Sequence, residues 1–114
     1  MSTGPKVLAN RLYQLLRAEN IADFNAARAN GETGELSNAD FRGLDLRGMN
    51  ADGLDLRGSY FRGADLRGID FRNTLLEGAS IKFAHISGCY FPKELSATEL
   101  RLSLEQGIRL RYGA

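Results

Sequence analysis

Residues that could cross-link the chain or hold a metal ion are scarce in this sequence. Its 114 residues include one cysteine, Cys89, and one histidine, His85. A single cysteine excludes an internal disulfide, and no CxxC or Cys/His spacing of a zinc site is present. The sequence therefore predicts neither a metal site nor a cofactor, and a cytoplasmic location is the default expectation.

The chain also lacks an excess of charge of either sign and any long hydrophobic run. Lys and Arg total 15 against 14 Asp and Glu, which gives a net charge of +1. This balance argues against a typical nucleic-acid binder, which is strongly basic, and equally against a strongly acidic mimic of DNA. Polar side chains interrupt the apolar ones in the first twenty residues, so neither a signal peptide nor a membrane span is predicted.

The chain does contain a repeat with a period of five residues. From Gly34 to Lys93 it divides without interruption into twelve blocks, beginning GELSN, ADFRG, LDLRG and MNADG. The third residue of every block is apolar: Leu36, Phe41, Leu46, Ala51, Leu56, Phe61, Leu66, Phe71, Leu76, Ile81, Ile86 and Phe91. A period of five fits neither an α-helix nor a strand. If each block forms one side of a square coil, every third residue points inward and four blocks return the chain to its starting face.

These blocks resemble the repeats of the pentapeptide-repeat proteins, whose pattern is A(D/N)LxG. The closest matches are ADFRG at 39–43 and ADLRG at 64–68, and the resemblance covers about half of the chain. It implies an all-β solenoid, namely a short right-handed quadrilateral β-helix. Twelve blocks at four per coil predict about three coils over residues 34–93, within a single domain of residues 1–114.

Two departures from the repeat pattern carry structural predictions. In MNADG the small Ala51 occupies the centre while the large Met49 occupies the position that is usually small, so we expect an exchange of volume inside one coil. Phe83 takes a corner position usually given to glycine, which leaves its ring without an interior place.

A solenoid exposes its interior at each end, and the flanking segments have the pattern of helical caps. At the N-terminal end, residues 5–30 predict one helix from about Lys6 to Ala18, with Pro5 in its first turn. A shorter helix is expected to begin after Asn20 and to stop at Gly31.

At the C-terminal end, residues 94–114 predict a helix followed by an extended tail. The run from Ser96 to Glu99 has the pattern of a capping box, and the helix should end at Gln106 before Gly107. Leu102 should point outward, where it could form an apolar patch for a two-fold dimer with three residues of the tail: Ile108, Leu110 and Tyr112.

Stacking the blocks in fours predicts the charge of each outer face. One face should be basic because it carries Arg42, Arg62 and Lys82 with Asp40 as its only acid, and Tyr60 lies on the same face. A neighbouring face should lean acidic, and the remaining two should be balanced. A solvated surface with ion-pair ladders is the favoured interpretation of the basic face, and a patch that binds a partner is the alternative.

No catalytic constellation is present, so we predict no catalytic residue. His85 should stack above Asp65, but an ordinary exposed histidine is favoured over a metal ligand or a proton carrier. Cys89 should be a buried, inert thiol.

Two classes of function remain after enzymes are set aside. The favoured one is a non-enzymatic adaptor or scaffold that binds another protein. The alternative resembles the branch of the family that binds DNA gyrase by imitating DNA, but that mimicry needs a long rod with acidic columns. A weaker possibility is binding of a nucleic-acid backbone through the basic face, while binding to a membrane is not expected.

Overall fold

The computed structural model describes residues 4–114. Residues 1–3, which the sequence assigns to the same domain, lie outside the described range. The helices are α1, Arg11–Arg17, α2, Ile21–Ala29, and α3, Ala97–Gln106. The first two precede the repeats and the third follows them, as the sequence predicts.

The repeats pair with each other at a spacing of twenty residues. Six isolated parallel bridges join the second residue of one block to the second residue four blocks later: Asp40 to Tyr60, Asp45 to Asp65, Asp55 to Leu75, Tyr60 to Ser80, Asp65 to His85 and Asp70 to Tyr90. Four blocks therefore make one circuit of the chain, which we call a coil.

The prediction of an all-β architecture is confirmed only in part, because the repeats pair through isolated β-bridges and form no regular strands. Between residues 4 and 114 no β-strand longer than a single bridge is present, and the continuous elements are the three helices. Regular strands are absent from these residues because each side of the coil is only five residues long. A turn occupies two of the five residues in most blocks, with a positive φ at corners such as Gly43 (73°) and Gly63 (69°), so a regular strand has no room to develop.

The predicted register is confirmed by burial. The first ten block centres, from Leu36 to Ile81, are each at most 2 % exposed. Met49 (4 %) and Ala51 (2 %) are both buried, as the volume exchange predicts. The rings of Phe41 and Phe61 stack with centroids 5.2 Å apart. The interior is thus one continuous apolar column.

Three side chains with a hydroxyl or thiol group donate hydrogen bonds to backbone carbonyls of this column, which the repeat pattern did not predict. At the small first position of their blocks, Ser59 and Thr74 donate to the carbonyls of Leu36 and Ala51, both at 2.8 Å. Cys89 donates in the same way to Leu66 at 2.9 Å. Each side chain thereby satisfies a central carbonyl twenty-three residues earlier.

The N-terminal cap begins differently from the prediction. The helix does not start at Lys6: the backbone of Lys6 pairs with the first coil through the carbonyl of Asn38 (3.1 Å) and the N–H of Asp40 (2.8 Å). Helix α1 begins after Asn10, whose side chain accepts the N–H of Tyr13. An extended start is favoured because the open edge of the first coil offers backbone partners that a helix could not use.

Side chains of the cap supply further hydrogen bonds to that edge. Arg28 donates to the carbonyls of Asn50 and Asp52, both at 2.8 Å. Asn25 accepts the N–H of Asn50 and donates to the carbonyl of Gly48. These contacts take the place of a preceding coil.

Helix α3 has the predicted bounds, but the capping box forms only in part. Ser96 accepts the N–H of Glu99, and Gly107 ends the helix with φ 73°. The Glu99 carboxylate, which is 2 % exposed, binds Arg111 of the tail instead of the start of its own helix. The pair fastens the tail to α3.

A pair of substitutions tests the register. Leu66→Asp should lower the free energy of unfolding by at least about 4 kcal/mol, because it buries an unpartnered carboxylate in the column. Arg67→Ser, one residue away, removes only an exposed ion pair and should lower the free energy of unfolding by about 1 kcal/mol or less. Thermal unfolding followed by circular dichroism measures both, and equal effects would contradict the register.

Candidate functional site

Most outward charges of the repeats are neutralised within their own block. Where a block carries Asp in its second position and Arg in its fourth, the guanidinium binds both carboxylate oxygens, as in Arg67 and Asp65 at 2.9 and 2.7 Å. The same geometry joins Asp40 to Arg42, Asp45 to Arg47, Asp55 to Arg57 and Asp70 to Arg72. The turn brings the two outward side chains together, and each guanidinium presents paired donors to a carboxylate.

These ion pairs lower the pKa values of the aspartate carboxyl groups and so favour their charged form. Hydrogen bonding to Arg67 lowers the pKa of Asp65 from 3.8 to about 2. Hydrogen bonds from the paired arginines also hold the pKa values of Asp45 and Asp70 below their usual range. Arg47 additionally reaches Asp65 at 3.3 Å and so links two coils. The face of Asp45 and Asp65 is balanced, as predicted.

Two blocks on the basic face lack this internal neutralisation. Their second positions hold Tyr60 and Ser80, whereas the preceding block of the same face has Asp40. Consequently Arg62 and Lys82 form no ion pair with any residue between 4 and 114. These unpaired cations can be recognised from the sequence alone, because a block without Asp in its second position has no carboxylate for its own cation.

Phe83 lies beside both unpaired cations. Its ring centroid is 5.4 Å from the Arg62 guanidinium carbon and 5.1 Å from the Lys82 ammonium nitrogen. The side chain is 56 % exposed, as its corner position predicts, and the backbone has φ 58°. A left-handed conformation is unfavourable for a bulky residue, so the fold holds this ring at the surface at a cost in stability.

Asp40 brings two further arginines to the same face. Its carboxylate binds Arg42 at 2.9 Å and lies 3.8 Å from Arg17 of α1. The hydrogen bonds from Arg42 lower the pKa of Asp40. Arg17, Arg42, Arg62 and Phe83 line one shallow groove. We call Arg17, Arg42, Arg62, Lys82 and Phe83 the basic–aromatic patch.

Tyr60, predicted for the same face, is engaged by the tail. The Arg109 guanidinium lies over its ring at 4.9 Å and donates to its hydroxyl and to the carbonyl of Gly78. The structure therefore places Tyr60 with the tail rather than at the centre of the patch.

The predicted self-association residues divide between the interior and the surface. Leu110 is 1 % exposed, and its backbone pairs with Gly78 and Ala79, so its assignment to an exposed patch is wrong. The Tyr112 hydroxyl accepts the N–H of Leu76 at 2.9 Å. The tail turns inward because the last coil offers unpaired backbone groups there. Ile108 remains 40 % exposed and Leu102 is partly exposed.

The two residues considered for chemistry lie apart from the patch. His85 is exposed and pairs through its backbone with the residue Asp65. No group of three ligand-type side chains suited to a metal occurs between residues 4 and 114. Cys89 is only partly buried, less than predicted, and burial raises the pKa of its thiol. A raised pKa disfavours the nucleophilic thiolate.

A comparison with known protein families identifies the repeats. The family model described as pentapeptide repeats matches this chain in eight copies, over residues 35–73 and 55–91. The chain belongs to the pentapeptide-repeat family. No curated protein and no solved structure shows a significant match. In this pentapeptide-repeat protein, none of the helices between residues 4 and 114 has the length and hydropathy of a membrane-spanning segment.

The paired aspartates predict a dependence of stability on acid pH. Their folded pKa values are lowered, so the stability that they contribute is complete above the unfolded pKa near 3.8 and is lost as pH falls toward about 2. The urea midpoint should therefore decrease between pH 5 and about pH 2. Asp65→Asn should lower the midpoint at pH 7 and reduce its change with pH. An unchanged wild-type midpoint over this interval would contradict the assignment.

Proposed function

We propose that this chain is a non-enzymatic protein-binding module built on a right-handed quadrilateral β-helix of about three coils, capped by helices at both ends. Bridges at twenty-residue spacing and a filled apolar column support this architecture. A coil with a filled interior holds its outer faces rigidly. A partner can therefore bind such a face without the entropy cost of ordering it.

The basic–aromatic patch is the observation that carries the proposal. Arg62 and Lys82 are outward cations that their own blocks leave unpaired, and the exposed ring of Phe83 lies beside both of them in a strained conformation. Unpaired cations and exposed aromatic rings are typical of binding surfaces, where arginine and aromatic residues are enriched. Glycine would adopt this corner conformation without strain, so the presence of a phenylalanine here favours a functional role for its ring.

Imitation of DNA is disfavoured by the charge distribution. A gyrase-binding mimic needs a continuous negative column, whereas five of the six aspartates in residues 34–93 are bound by arginines of the same block. Even the face predicted to be acidic has Asp55 paired with Arg57. The chain thus offers alternating charges where a DNA mimic needs negative ones only.

Affinity capture from the host lysate tests the module. The variant Arg62→Glu/Lys82→Glu should lose at least about 90 % of a partner that the wild type captures, because it reverses the charge at the centre of the patch. The matched control Arg47→Glu/Arg67→Glu makes the same change of charge on another face and should retain the partner. Melting temperatures of both variants confirm folding. A partner lost only with the control would place the binding surface on the other face and contradict the proposal.

We also propose a two-fold dimer through the C-terminal segment, with an interface formed by Leu102, which is partly exposed, and Ile108, which is exposed. Light scattering at micromolar concentration should give a dimer for the wild type and a monomer for Leu102→Lys/Ile108→Lys. Removing the whole tail is unsuitable because Leu110 belongs to the core. Val7→Lys, which changes an exposed apolar residue at the other end, should leave the dimer intact. A monomeric wild type would refute this proposal.

A further inference from the structure

The spacing of the two unpaired cations indicates the shape of their ligand. Arg62 and Lys82 lie on adjacent coils, and the bridge between Tyr60 and Ser80 sets their backbones about 4.8 Å apart. Alternate residues of an extended chain point to the same side at about 6.7 Å. Arginine and lysine side chains are long enough to span the difference. A segment that runs along the coil axis can therefore place one carboxylate on each cation.

The positive surface is also narrow. Arg17 and Arg42 share the Asp40 carboxylate, so they extend the positive potential along the same face. On one adjoining face, Glu35 and Glu77 form no ion pair within residues 4–114, and on the other the ion pairs of Asp45 and Asp65 balance the charge. A single extended segment fits this width, whereas a duplex would meet the neighbouring carboxylates.

Phe83 gives the patch a preference that charge alone does not provide. Its exposed ring lies within about two residue lengths of both cations, measured along an extended chain. An apolar side chain of the ligand can cover the ring and dehydrate the cations beside it, which strengthens their attraction to carboxylates. A phosphodiester backbone would gain little from this contact, and two unpaired cations give it only weak affinity at physiological salt.

We propose that the basic–aromatic patch binds an extended acidic segment of a partner protein, with alternate carboxylates on Arg62 and Lys82 and an apolar side chain on Phe83. The matching peptide pattern is acidic, any residue, acidic, any residue, aromatic. This inference rests on the proposed function of the chain as a protein-binding module and names the chemistry of its ligand.

Fluorescence anisotropy with the full chain tests the proposal. The probe is a labelled peptide of about twelve residues, with Asp-Ser-Asp-Ser-Phe between Gly-Ser flanks, and its control has Asn in place of both Asp residues. The wild type should bind the Asp peptide at least about tenfold more tightly than the Asn peptide in 150 mM salt. Equal binding of the two peptides would overturn the proposal.

Matched variants locate the binding. Arg62→Ser/Lys82→Ser should weaken binding of the Asp peptide by about tenfold or more, while Arg47→Ser/Arg67→Ser, which removes the same charge elsewhere, should change it by less than about twofold. Equal losses in the two variants would mean that net charge, not this patch, attracts the peptide.

Phe83→Gly separates binding from stability. Glycine accepts the left-handed backbone without strain, so the melting temperature should stay equal or rise while binding weakens by about threefold or more. A lower melting temperature with unchanged binding would show that the ring is structural and would overturn its part in the proposal.

A twelve-nucleotide thymidine oligomer provides the competing ligand class. Binding at 150 mM salt as tight as that of the Asp peptide would replace the protein partner by a nucleic acid. If capture of a partner requires Arg62 and Lys82 but the Asp peptide does not bind, the protein-binding module stands and only the acidic-segment proposal fails.

Discussion

Hydrogen bonding between successive coils is the constraint on which the rest of the structure depends. Each block contributes backbone groups that find partners about twenty residues away, as when the N–H of Leu66 donates to the carbonyl of His85 at 2.9 Å and the N–H of Leu46 to that of Asp65 at 3.0 Å. The first and last coils lack one of these neighbours, so other parts of the chain must provide the missing partners. Arg28 and Asn25 do so at one end, and Ser103 and Leu110 do so at the other.

Because the backbone and the inward side chains hold the coil, the outward positions are free to vary. The second and fourth positions of a block form a local ion pair when they are Asp and Arg, and this arrangement spreads no net charge over the surface. Replacing Asp by Tyr60 or Ser80 leaves the column intact but releases a cation. The surface chemistry can thus change one block at a time without a change of fold, which suits a module whose role is recognition.

Phe83 illustrates how the corners connect stability with function. Most other corners hold glycine, whose positive φ costs nothing in steric terms. Phe83 keeps the same geometry, with its N–H donating to the carbonyl of Leu104 in α3, and presents a ring to solvent. The helical cap therefore supports the strained residue, and the end of the coil and the patch belong to one structural unit.

Sequence by itself determined the five-residue register, the inward column from Leu36 to Ile81 and the basic face, because each depends on residue type at a fixed position in a repeat. It also predicted α2 and α3, although the Asn20 side chain donates to Asp23 and does not cap the start of α2. It did not predict the extended pairing of Lys6, the inward turn of Leu110 or the ion pair between Glu99 and Arg111. Those were decided by tertiary structure alone, because they satisfy backbone and charged groups that become neighbours only when the ends of the coil are closed. The proximity of Phe83 to Arg62 has the same origin, since residues twenty-one apart in sequence meet only through the stacking of adjacent coils.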